Sequence, residues 1–95
     1  MKVYFRPRAL ADLQDIVLYL EPKSPTGAGN VLRAIHTAIE EIALFPNAAV
    51  RTSDPDIRVK ILGRYRYKIF YSVIDTGDAL EIIHIRHAAR RPWPG

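Results

Sequence analysis

Apolar residues alternate with polar ones over residues 2–6, where Val3 and Phe5 fall on one side of a period of two, and Pro7 then removes the backbone donor a strand needs. A short strand is predicted there. From Ala9 to Leu20 the period lengthens: Ala9, Leu10, Leu13, Ile16, Val17 and Leu20 follow one helical face, while Asp12, Gln14 and Asp15 fall away from it. Pro22, Ser24 and Pro25 break this helix, and Ser24-Pro25 reads as an N-cap followed by proline at the first helical position. Ala28, Val31, Leu32, Ile35, Ala38, Ile39 and Ile42 form a second stripe that Pro46-Asn47 ends. The two helices make a hairpin.

Residues 47–56 have no periodicity and are predicted as loop. Three strands follow. Ile57, Val59 and Ile61 alternate with Arg58 and Lys60; Tyr65 to Val73 alternates again; Ala79 to His87 is rich in isoleucine. Gly63-Arg64 and Asp75-Thr76-Gly77-Asp78 supply the turns of an antiparallel meander. The predicted fold is α+β, in the order β-α-α-β-β-β, with the helical hairpin packed on one face of a small, mainly antiparallel sheet. If Ile57, Val59 and Ile61 face the helices, Arg58 and Lys60 project from the open face. Tyr67 and Tyr71 share the Ile69 face and are assigned to the core.

At 95 residues the chain is too short for two separately cored units, so residues 1–95 are taken as one domain. The absence of cysteine removes thiolate nucleophiles, disulfide scaffolds and cysteine-ligated zinc, and fits a reducing cytoplasm. Residues 1–7 meet a charge and a proline too soon for a signal peptide, and no apolar run is long enough to span a membrane. Charge changes the picture more. Residues 1–56 hold 6 basic and 7 acidic side chains, whereas residues 57–95 hold 8 and 3, a net +5 that suits an acidic or polyanionic partner.

The chemistry on offer is cationic and aromatic. His84 and His87, three apart on a strand, point to opposite faces and cannot chelate one ion together, and His36 lies alone beside the second helical stripe, so no metal site is expected. No phosphate-binding glycine loop follows a strand, and no cofactor is expected. Glu40, Glu41, Asp75, Asp78 and Glu81 read as solubility and turn residues, Ser24 as a cap. What remains is Arg58, Lys60, Arg64, Arg66, Lys68, Arg86, His87, Arg90 and Arg91, interleaved with Tyr65, Tyr67, Phe70, Tyr71 and Trp93. Such a set can neutralise phosphate, pair with carboxylates or anchor a protein partner.

These residues carry a resemblance. Arg8-Ala9-Leu10-Ala11-Asp12-Leu13 with Ile16 and Tyr19, then Pro25, Ala28 and Ile35, then Leu44-Phe45-Pro46, Ile57-Arg58, Tyr65 to Tyr71 and the ending His87-Ala88-Ala89-Arg90-Arg91-Pro92-Trp93 resemble the RelE/ParE superfamily of bacterial type II toxins. The likeness is greatest to the ParE branch, the plasmid-stabilisation toxins, although Ala88 stands where that family often has glycine. The resemblance implies the same fold and a cytoplasmic toxin that arrests growth until a ParD-like antitoxin silences it, with DNA contacted only through the antitoxin complex. ParE-like relatives bind DNA gyrase and block replication without being enzymes. RelE-like relatives are metal-independent endoribonucleases that cut messenger RNA on the ribosome. For that alternative the corresponding residues are Arg58, Lys60, Lys68, His87 and Arg90; for partner binding they are Arg58, Lys60, Arg66, Lys68, Arg86, His87, Arg90, Arg91 and Trp93. RNA cleavage also needs an acid and a base, and Pro92-Trp93-Pro94-Gly95 occupies the place where the ribonuclease branch tends to carry tyrosine or histidine. The binding reading is therefore preferred.

Overall fold

The structure is a computed structural model and describes residues 1–88. Its elements are β1 (Lys2–Phe5), α1 (Pro7–Leu20), α2 (Pro25–Leu44), β2 (Val50–Arg51), β3 (Arg58–Leu62), β4 (Tyr67–Ile74), a 3₁₀ turn (Asp75–Gly77) and β5 (Ala79–His87). The sheet has the order β1-β5-β4-β3-β2. All neighbours run antiparallel except β1 and β5, which pair in parallel with Lys2 opposite Ala79 and Phe5 opposite Ile82. The α+β plan and the helical hairpin are as the periodicity predicts. Pro7 does more than end β1, because it occupies the first turn of α1, where a missing N–H costs nothing. Ser24 Oγ accepts the Gly27 N–H at 2.9 Å, the N-cap expected for α2.

Ile16, Val31, Ile35, Ile39 and Ile42 of the hairpin pack against Leu62, Tyr67, Ile69, Tyr71, Leu80, Ile82 and Ile85 of the sheet. Full burial of each such aliphatic chain contributes roughly 1.5–3 kcal/mol before conformational entropy is subtracted. Tyr67 and Tyr71 lie in this core as predicted.

Four features depart from the sequence reading. The stretch 47–56 contains β2, a two-residue edge strand on β3. The β3–β4 turn spans residues 63–66, so Tyr65 and Arg66 are turn rather than strand residues. Asp12, expected away from the apolar face of α1, is buried. Finally, β3 is inverted. Arg58 pairs with Tyr71, Lys60 with Ile69 and Leu62 with Tyr67, so all three face the helices, while Val59 and Ile61 lie on the outer face with Lys68 and Phe70. Ile61 is 55 % exposed in consequence. The stronger pattern on β4 fixes the register, since a one-residue slip would turn Tyr67, Ile69 and Tyr71 out to water. β3 also lies near the edge, where Arg58 and Lys60 reach polar partners past the end of the core.

A bulge explains the isoleucine run of β5. Phe70 pairs with His84 but Tyr71 with Ile82, leaving Ile83 as an extra residue. The alternation therefore resets, and Ile85 faces the helices together with Leu80 and Ile82, whereas His84 goes to the outer face.

Candidate functional site

The predicted site residues divide between two sides of the sheet. On the helix side, Lys60 Nζ pairs with Glu41 Oε2 of α2 at 3.0 Å. Arg58 donates from one guanidinium nitrogen to the carbonyls of Asn47 and Ala49 at 3.0 and 2.8 Å. Tyr71 adds a hydroxyl donated to Pro46 O at 2.6 Å. Burial raises the Tyr71 phenol above its ordinary value of 10.0, opposed by the Arg58 charge and by the Ala49 backbone N–H. Arg58 and Tyr71 thus clamp the loop between α2 and β2, which an unperiodic stretch with Pro46 and Asn47 could not hold by backbone ladders alone.

On the outer face, Lys68 and Arg86 are direct cross-strand partners. Beside them, the rings of Phe70 and His84 stack at 6.0 Å with 22° between planes. No ion pair involves Lys68 or Arg86 among the described residues, and the buried Arg86 Nε has no hydrogen-bond partner there. Glu81, the carboxylate that β5 puts on this face, is bound to Arg6 at 2.8 Å.

Arg66 and His87 lie at the end of the sheet. Arg66 is exposed in the turn at φ 61°, and its carbonyl accepts the Ala88 N–H at 2.6 Å. The His87 ring meets Tyr67 edge-on at 5.0 Å, on the helix side. His84 and His87 do point to opposite faces, and His36 is exposed, 3.2 Å from Glu40. Arg90, Arg91 and Trp93 lie outside the described residues. Among the described residues no three His, Asp or Glu side chains converge as a metal site would require, and no helix is long and apolar enough to cross a membrane.

The sequence reading missed a buried network. β1 stops pairing at Ile82, which leaves the edge of β5 open beyond it. Asp12 of α1 takes over. Its Oδ2 accepts the Ile85 N–H at 2.9 Å and the His84 Nδ1 proton at 2.5 Å, and its Oδ1 accepts from Arg8 Nε at 3.1 Å. The one signal in the sequence was the spacing of Arg8 and Asp12, i and i+4 on a helix.

A helical hairpin on one face of a small mixed sheet, with cations crowded into the second half of the chain, defines a small basic α+β domain. The family model described as the ParE toxin of the type II toxin-antitoxin system parDE matches residues 3–92. The chain belongs to that family. It is 29 % identical over 87 residues to Putative toxin Y4kP of Sinorhizobium fredii, covering 92 % of this chain and 86 % of that one. An Escherichia coli RelE toxin variant bound to a peptide of its antitoxin superposes with a TM-score of 0.69 at 20 % identity, over 94 % of this chain and 84 % of that one. The chromosomal ParDE system of Pseudomonas aeruginosa gives 0.65 at 22 % identity, over 92 % and 95 %. At such identities these two likenesses establish the shared fold.

Proposed function

We propose that the chain is silenced by a ParD-like antitoxin and that, once released, it arrests growth in the cytoplasm by binding DNA gyrase and blocking replication, not by cutting RNA. The observation that supports this reading is the separation of the cations. Metal-independent cleavage through the 2′-hydroxyl needs a base, an acid and phosphate-binding cations gathered around one reacting group. Arg58 and Lys60 stand on the helix side, held by backbone carbonyls and by Glu41, while Lys68 stands on the other face. The β3 residues nearest Lys68 on its own face are Val59 and Ile61. Binding a protein requires no such convergence. DNA contact, in this reading, comes only through the antitoxin complex.

The experiment is a supercoiling assay with purified gyrase and the released toxin, run beside a ribosome-dependent messenger RNA cleavage assay on the same preparation. Supercoiling should be inhibited while the RNA stays intact. Cut RNA with undiminished supercoiling would replace this reading by the ribonuclease. Failure of the chain to co-purify with the product of an adjoining reading frame would remove the antitoxin from it.

A further inference from the structure

We infer that the outer face of the sheet, centred on Lys68 and Arg86, is a receptor for a side-chain carboxylate presented by an acidic, otherwise apolar segment of a protein partner. The inference deepens the proposal that this chain works by binding protein, and it names the chemistry that such a partner must carry.

Two like charges directly opposite each other on neighbouring strands repel, and a fold under no other demand places an opposite charge there. This face offers none: Glu81 is held by Arg6, and neither Lys68 nor Arg86 has an ion-pair partner among the described residues. Burial of Arg86 Nε without an acceptor compounds the cost, because a buried donor has lost water and gained nothing in return. A carboxylate placed between the two side chains removes both penalties, since its two oxygens can accept from the guanidinium and the ammonium at once.

The surroundings select the source of that carboxylate. Val59 and the half-exposed Ile61 lie on the same face of β3, opposite Phe70 and Lys68. A nucleic-acid strand would gain little here. Neutralising two phosphates releases about two counterions' worth of free energy, where protein–DNA contacts of useful strength involve roughly six to ten. Apolar side chains beside a pair of cations suit a protein partner instead, because apolar contacts around a charged anchor exclude water from it and strengthen the pair. Beside the two cations the rings of Phe70 and His84 are buried and stacked, with His84 bonded to Asp12.

The test uses the full-length, isotope-labelled protein and a short synthetic peptide alternating leucine and glutamate, followed by the backbone amide resonances. The glutamate peptide should shift Val59, Ile61, Lys68, Phe70 and Arg86 and bind at least about tenfold more tightly than the same peptide with glutamine, the loss of one charge-assisted hydrogen bond. Lys68→Glu should raise the melting temperature, by converting repulsion to attraction across the strands, and yet weaken the peptide about tenfold or more. Lys68→Met should weaken it too while leaving the fold intact. Equal affinity for both peptides, shifts confined to other surfaces, or loss of stability on Lys68→Glu would each overturn the inference. So would an oligouridine that shifts the same five residues at lower concentration than the peptide. None of these outcomes bears on the supercoiling assay, so the receptor and the gyrase reading stand or fall separately.

Discussion

One carboxylate, that of Asp12, closes three hydrogen bonds and ties α1 to the edge of β5 that β1 leaves unpaired. Removing it strands the His84 ring N–H and the Ile85 backbone N–H in a buried place, and breaking a buried charge-assisted arrangement costs about 3 kcal/mol or more. Asp12→Ala should lose about that much in urea unfolding followed by circular dichroism. Asp12→Asn, which keeps an oxygen for one of the donors, should lose less. Tyr71 makes a prediction in pH. Its phenol titrates higher in the folded chain than in the unfolded one, so the native state holds its proton more tightly. The stabilisation is therefore fully present below the ordinary tyrosine value of 10.0 and is lost as pH climbs from there through the raised folded value. Melting temperature measured between neutral pH and pH 11 should fall on the alkaline side. In Tyr71→Phe that fall should be shallower, from a starting point lowered by about 1 kcal/mol for the lost bond to Pro46.

Among the elements, the turn between β4 and β5 holds Thr76 at φ 55°, ψ 29°, a left-handed conformation that a β-branched residue adopts at a cost of roughly 1–2 kcal/mol. Thr76→Asn should raise stability by up to about 1 kcal/mol, as a shift in thermal midpoint, because asparagine tolerates that region. Adjacent Gly77 sits at φ 99° and already has the residue its backbone needs. The sequence made this turn visible as Asp75-Thr76-Gly77-Asp78, and the helices were visible through stripes of seven or so apolar positions each. The register of β3 was not. Five residues alternating apolar and basic fit either face equally well until a neighbour decides, and here β4 decides through Tyr67, Ile69 and Tyr71. The bulge at Ile83 hid the face of His84 for a similar reason, since an inserted residue breaks the very period by which strands are read. Asp12 escaped because an acid on an otherwise polar helical face gives no sign that an open strand edge lies beyond it. Of the candidate site, the residue types were legible and their grouping was not: Arg58 and Lys60 were expected beside Lys68 and lie across the sheet from it.

For the whole molecule, the charge imbalance belongs to association more than to folding. With a net +5 gathered in residues 57–95, encounter with an acidic partner should be steered over distances near the Debye length, about 8 Å at physiological ionic strength. Stopped-flow association with the antitoxin should slow markedly between low and high salt while dissociation changes much less. Dissociation that accelerates as strongly as association slows would show that the net charge acts mainly in the bound complex and not in the encounter. The pairing of β1 with β5 has a consequence in time. Lys2 must wait for Ala79, 77 positions further along, before the sheet can close. A chain emerging from the ribosome can form its helical hairpin from local contacts, but it holds an unpaired first strand until nearly all of the described sequence has been made. Prematurely terminated translation products therefore lack the finished sheet, and a stalled message yields fragments in which β1 has no strand to pair with.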